Sequence, residues 1–152
     1  FVEVCKKTDG ELISIDIENC SRVTDWDKWL FIQADSTRVQ LFKTIDVLFI
    51  DSSHEYKETV TELRNFAPLV RKGGLVLMHD TETIPVPKNN KFVIDVIKGM
   101  NIVTFLSMLR GEKCCEKVKR AVKAFMDENK GEWSYYNISQ GGGLGILTRI
   151  AE

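Results

Sequence analysis

Two short apolar runs dominate the pattern of the chain, IDVLFI at Ile45–Ile50 and LVLM at 75–78, and each stops against polar residues, Asp51 and His79-Asp80. Between them Tyr56, Val60, Leu63, Ala67 and Val70 recur at helical spacing, and Lys72-Gly73-Gly74 reads as the turn into the second run. The pattern predicts a βαβ unit. Strands apolar along their whole length are covered on both faces, so the sheet is expected to be parallel, with helices on both faces and ligands beyond the carboxyl ends of its strands. Asp51, His54, His79 and Asp80 all fall at those ends.

The flanking segments extend the same alternation. Residues 1–10 read as the end of a helix followed by a Thr-Asp-Gly turn, and 12–17 (LISIDI) as a strand closing on Asp16 and Glu18. Trp26, Trp29 and Leu30 give 23–30 a loose helical spacing, and 31–34 reads as a short strand closing on Asp35-Ser36. Pro68 removes a backbone donor, so the helix of the central unit is expected to end near Phe66 and to resume briefly before Gly73. After Asp80 the pattern breaks at 81–91 (TETIPVPKNNK), and an apolar stretch at 92–109 follows, interrupted by Gly99. Residues 81–113 are read as an inserted loop and helical cover, or alternatively as an ordinary packing helix or an oligomer contact between copies of the chain. A regular helix is expected from Cys114 to Lys130, ended by Gly131, with Val118, Ala121, Val122, Phe125 and Met126 on one face and Lys117, Lys119, Arg120 and Lys123 on the other. Residues 133–139 and 144–150 read as two strands joined by Gln140-Gly141-Gly142-Gly143, a terminal hairpin. The fold class is therefore α/β, a mostly parallel sheet with a C-terminal antiparallel hairpin.

Composition narrows the function. With 152 residues the chain has room for one domain and a sizeable core, and 1–152 is read as a single domain. Lys plus Arg at 21 nearly balances Asp plus Glu at 22, so no global field points to nucleic acid or an anionic membrane. No apolar run approaches a membrane span and no signal segment opens the chain, which makes a cytoplasmic protein the expectation. Cys5, Cys20, Cys114 and Cys115 lack zinc spacing and are read as reduced packing thiols.

The succession LISIDIE, FIQADS, IDVLFIDSSHEY, LVRKGGLVLMHDT and GGLGILTRI resembles class I S-adenosylmethionine-dependent methyltransferases. It is most similar to the small-molecule O-methyltransferases and the cephalosporin-hydroxylase-like group, which carry a similar D-x-x-H-x-Y after the fourth strand and H-D after the fifth. The resemblance implies a Rossmann-like methyltransferase sheet, S-adenosylmethionine as cofactor and a small-molecule acceptor. That family's first strand and glycine-rich loop have no counterpart before Leu12, so the chain is expected to be N-terminally truncated and to hold only part of the cofactor site. Gly141, Gly143 and Gly145 spell G-x-G-x-G but precede a strand, which makes them a hairpin turn and not a cofactor loop.

Carried onto this sequence, the resemblance implies that Asp16, with Glu18 as second choice, accepts hydrogen bonds from the ribose diol. Asp35 and Ser36 match the adenine side, with a plain turn as the competing role for Asp35. Asp51 and Asp80 match carboxylates that in the catechol branch bind magnesium or another divalent cation, Asp51 also bordering the cofactor. That branch supplies an Asn after the second Asp, whereas Thr81 stands here. His54 occupies the place of a lysine base, and His79 is a second candidate base; a scaffolding role at the start of the helix competes for His54. The leading expectation is methyl transfer to a hydroxyl of a small molecule. A non-catalytic module of the same fold is the alternative, and a nicotinamide-dependent oxidoreductase is disfavoured by the terminal hairpin.

Overall fold

The computed structural model describes residues 1–82, 102–140 and 142–151, with side chains described for 1–82, 115–140 and 142–151. The chain divides into two compact units, Phe1–Leu41 and Phe42–Glu152.

In the first unit helix α1 (Val2–Thr8) ends where Asp9 takes a left-handed φ of 56° and the Gly10 amide donates to the Cys5 carbonyl at 2.8 Å. This is a common way to satisfy the last helical carbonyls. Strand β1 (Leu12–Asp16) pairs in parallel with β2 (Trp29–Gln33), Leu12 opposite Trp29 and Asp16 opposite Gln33. The helix expected at 23–30 is absent. Short polar side chains capture the backbone there: Asn19 Oδ1 accepts from the Ser21 amide at 3.0 Å, and Thr24 Oγ1 from the Trp26 amide at 3.2 Å. Such local bonds compete with helical ones. Trp29 instead opens β2, two residues before the expected strand, and its indole donates to Ser14 Oγ at 3.0 Å.

The second unit holds a four-stranded sheet in the order β3-β4-β6-β5, formed by β3 (Ile45–Ile50), β4 (Val70–His79), β5 (Trp133–Ile138) and β6 (Leu144–Arg149). Strands β3 and β4 are parallel, while β6 runs antiparallel to both β4 and β5. The parallel pair with a terminal hairpin is the sheet the apolar pattern predicts. Helix α2 (Tyr56–Phe66) connects β3 to β4 and gives way at Ala67–Leu69 to a 3-10 turn containing Pro68, the expected stop.

Lys72-Gly73-Gly74, expected as a turn ahead of the strand, lies inside β4. The pairing slips there from Ile45 opposite Val70 to Val47 opposite Leu75, a bulge in which Gly73 has φ +74°. A Cβ on Gly74 would sit 2.8 Å from both the Asp46 and Arg71 carbonyl oxygens, so only glycine fits. Helix α3 (Ile102–Glu128) runs unbroken past Cys114, where the sequence suggested a new start. The loop part of the expected insert, at 83–101, lies outside the described residues.

Helices α2 and α3 pack on the same sheet face. Leu63 and Ala67 from α2 and Val118 and Phe125 from α3 meet Val76, Met78 and Leu147 in one buried cluster. Full burial of each large side chain stabilises by about 1.5–3 kcal/mol. Trp133 closes the cluster edge-on against Phe125, ring centroids 5.6 Å apart. Arg149 ties the last strand to the Pro68 turn by donating to the Pro68 carbonyl at 2.8 Å and the Val70 carbonyl at 2.6 Å. Cys5, Cys20 and Cys115 form no disulfide, and Cys115 is buried. Among the described residues no helix is long and apolar enough to cross a membrane.

Candidate functional site

Parallel register creates the site. Ile50 pairs with Met78, so Asp51, just past the end of β3, and His79, the last residue of β4, come side by side. The backbone then turns sharply on both strands, with His54 at φ 58° and Asp80 at φ 54°. A left-handed conformation away from glycine is uncommon, and such residues gather where the surrounding structure imposes them. Here it brings Asp51, His54, His79 and Asp80 together with one donor atom from each, all within 4.8 Å of one another.

The contacts are uneven in kind. His54 Nε2 is hydrogen bonded to Asp51 Oδ1 at 3.1 Å and stands 3.3 Å from Asp80 Oδ2. His79 Nδ1 lies 3.2 Å from Asp80 Oδ1 and 3.5 Å from Asp51 Oδ1, yet it is buried and makes no hydrogen bond to either. Two carboxylates this close repel by about 1–3.5 kcal/mol for an effective dielectric between water and a protein surface. A positive charge placed between them would relieve that repulsion.

Both arms of the cluster are braced from outside it. In the loop after β3, Ser52 Oγ donates to Glu62 Oε2 at 2.7 Å, Glu62 being buried on α2, and Ser53 Oγ donates to Glu58. Lys117 of α3 reaches Glu55 Oε1 at 2.5 Å. Behind β4, the Glu82 amide donates to the Gly142 carbonyl at 2.9 Å, and Lys119 pairs with Glu82 Oε2 at 2.8 Å. Thr81 is fully buried, its hydroxyl donating to Asn137 Oδ1 at 2.6 Å, while Asn137 Nδ2 donates to Glu82 Oε1 at 3.0 Å. Thr81 is thus engaged with β5. Tyr135, on the same strand, has its phenol pushed above its ordinary pKa by burial and by the nearby Glu82 charge.

The supporting residues Glu62, Glu82, Asn137, Lys117 and Lys119 carried no sequence signal beyond helical or strand polarity. The glycines of the hairpin did carry one. A Cβ on Gly143 would lie 2.3 Å from the Glu82 amide nitrogen, and one on Gly142 2.9 Å from Asp80 Oδ1, so the turn must be bare to press against the site.

The other candidates belong to the first unit. Asp16 ends β1 exposed, its Oδ1 accepting from the Glu18 amide at 2.8 Å. Leu12, Ser14, Asp16, Trp29 and Phe31 line an open, largely apolar hollow. Asp35 caps the 3-10 turn Ser36–Arg38, with Oδ1 accepting from the Thr37 amide at 3.0 Å and its hydroxyl at 2.6 Å, and Oδ2 facing Arg38 at 3.3 Å. The Thr37 bonds hold the Asp35 carboxyl below its ordinary pKa. Ser36 is the first residue of that turn.

Parallel strands ending in a reversed hairpin, with acidic and imidazole side chains at the carboxyl ends, define the fold as that of class I S-adenosylmethionine-dependent methyltransferases. Residues 3–81, more than half of the chain, match the family model of a methyltransferase domain, and the chain belongs to that family. Among curated protein sequences none matches it significantly.

Solved structures agree on the fold. An SAH-bound methyltransferase of Podospora anserina superposes with a TM-score of 0.66 at 12% identity, over 99% of this chain and 65% of its own. The O-methyltransferase NovP gives 0.56 at 16% identity, over 86% of this chain and 41% of its own. The N-methyltransferase NodS of Bradyrhizobium japonicum gives 0.57 at 10% identity, over 93% and 74%. The chain thus spans less than two thirds of the first two structures.

Proposed function

We propose that the protein transfers a methyl group from S-adenosylmethionine to a hydroxyl oxygen of a small molecule, with a divalent cation held beside the acceptor by Asp51 and Asp80. The observation that carries this reading is the convergence of Asp51, His54, His79 and Asp80 at the carboxyl ends of β3 and β4. Two carboxylates and an unpartnered, buried imidazole nitrogen suit a cation. When bound, a divalent cation lowers the pKa of a substrate hydroxyl.

The remaining work falls to the chain. The acceptor oxygen attacks the sulfonium methyl in line; the new C–O bond forms as the S–C bond breaks, S-adenosylhomocysteine leaves, and the hydroxyl proton is lost. His54 and His79 are the groups placed to take it, since a neutral imidazole accepts a proton near neutral pH. Alignment of donor and acceptor supplies much of the rate. Asp16 and Glu18 are proposed for the ribose diol, Asp35 and Ser36 for the adenine side, and Asp51 for the border between cofactor and acceptor. A carboxylate offers about four lone-pair sites, so the local bonds made by Asp16 and Asp35 leave room for a ligand.

The test is calorimetry of the full-length protein with S-adenosylmethionine, followed by transfer of labelled methyl to hydroxyl and amine acceptors with and without chelator. Binding, transfer to oxygen and loss of rate in chelator are expected. No affinity for the cofactor would sink the reading, transfer to amines alone would move the acceptor atom, and an unchanged rate in chelator would remove the cation.

A further inference from the structure

We infer that His54 and His79 are metal ligands, and that the cluster selects a nitrogen-accepting first-row cation such as Zn2+ or Co2+ over Mg2+. The inference deepens the proposed function and builds on its cation, and it replaces the base role given there to the two rings: a ring nitrogen bound to a cation has no lone pair for a proton, so the proton of the cation-acidified hydroxyl leaves to solvent instead. Three observations support it.

The first is the geometry of His79. Its Nδ1 has carboxylate oxygens at 3.2 and 3.5 Å but hydrogen bonds to neither. An imidazole kept for an ion pair with Asp80 would aim its N–H along the Nδ1–oxygen line. Here the nitrogen and the oxygens share a neighbourhood without aiming at one another, as donors do around a common centre.

The second is spacing. Ligands about 2.1 Å from a first-row ion lie about 3.0 Å apart at an octahedral edge and about 3.4 Å apart at a tetrahedral one. The imidazole-to-carboxylate separations, from 3.1 to 3.5 Å, lie near those values, the two at Asp80 being to different oxygens of its carboxylate, and the four donors, within 4.8 Å of one another, would close slightly around an ion. Spacing does not choose among ions; the donor atoms do. Magnesium prefers oxygen and keeps its waters, whereas imidazole suits zinc, cobalt and their neighbours.

The third is Thr81. It follows Asp80 directly, and its hydroxyl is committed to Asn137 Oδ1 at 2.6 Å within a fully buried side chain. No oxygen donor comes from that position. The two imidazoles fill the coordination that an oxygen ligand there would otherwise supply.

The metal-free full-length protein is titrated with Zn2+, Co2+ and Mg2+ in the absence of S-adenosylmethionine, and cofactor affinity is measured separately. Zinc and cobalt are expected to bind at least about 100-fold more tightly than magnesium. X-ray absorption at the zinc edge should show imidazole scattering from both rings. His54→Gln and His79→Gln should each remove one ring's contribution and weaken zinc by about 10–100-fold, with circular dichroism reporting whether each variant is folded. Magnesium binding as tight as zinc, a shell of oxygen alone, or unchanged scattering in folded variants would overturn the inference; should either variant unfold, the wild-type scattering and metal preference still decide it. Zinc binding without cofactor binding defeats the methyltransferase reading and leaves this one standing, while cofactor binding without zinc does the opposite.

Discussion

The acidic residues at the ends of β1 and β2 are held by their immediate neighbours in sequence, whereas those at the ends of β3 and β4 are held by residues far away. Asp16 bonds to the amide two residues on, and Asp35 caps the turn that follows it. Asp51 and Asp80 meet across a strand pair, and the loops that carry them are braced by α2, α3 and the β5–β6 turn. A locally held carboxylate keeps its shape whatever the rest of the chain does. A convergent cluster exists only when the fold is complete, and it concentrates charge and strain that a ligand can relieve. The first arrangement suits recognition by hydrogen bonds, the second suits chemistry.

The largest effect is expected from removing the convergence. Asp51→Ala and Asp80→Ala should each lower methyl transfer by at least about 100-fold, Asp80→Ala leaving cofactor affinity within a few-fold and Asp51→Ala, at the cofactor's border, weakening it as well, as read by steady-state kinetics beside calorimetry. Retained activity in both variants would place the chemistry elsewhere. Next comes the bare turn behind the cluster. Gly143→Ala puts a Cβ 2.3 Å from the Glu82 amide nitrogen at φ +88°, and should cost about 2–4 kcal/mol in urea unfolding. An unchanged midpoint would show that the turn moves away freely.

Thr81→Val keeps shape but strands Asn137 without its hydroxyl partner, for an expected loss of about 1–3 kcal/mol. In the first unit, Asp16→Ala should weaken S-adenosylmethionine about 10-fold with little change in kcat at saturation, because a ribose contact is made equally in ground and transition states. A fall in kcat with unchanged affinity would contradict that division between the two regions.

The smallest expected effect concerns pH. Hydrogen bonds from Thr37 lower the folded-state pKa of Asp35, so its stabilisation is present above the unfolded carboxylate value and is lost as pH falls through the folded one. Asp35→Asn should therefore lower stability slightly at neutral pH, change little once the pH is below the folded-state value, and so shrink the acid sensitivity of stability between about pH 5 and pH 2. A carboxyl titration of Asp35 by NMR above its ordinary value would reverse the sign.

Much of this was legible in the residues, for local reasons. Pro68 stops α2 because it lacks an amide hydrogen, and the apolar runs at Ile45–Ile50 and 75–78 form adjacent parallel strands because such runs favour pairing in a sheet, although Val47 and Phe49 of β3 stay exposed. Other readings failed where two local signals competed. Trp26, Trp29 and Leu30 mimic a helical stripe, but Asn19 and Thr24 take the backbone into turns and Trp29 goes to β2. Gly73 and Gly74 looked like a turn between elements and proved to be a bulge, because strand pairing continued across them. Glu62 looked like one more polar residue of an amphipathic helix; its burial against Ser52 depends on where the β3 loop lands.

The sequence by itself determined which residues would stand at strand ends, because that depends on periodicity and on where an apolar run stops. It placed Asp51, His54, His79 and Asp80 at two such ends. Only the tertiary structure decided that they meet, since their meeting requires Ile50 opposite Met78, left-handed turns at His54 and Asp80, and a glycine turn from residues 142–143 pressed against the strand end. Register and close approach are properties of pairs of segments, and no single stretch of chain encodes them.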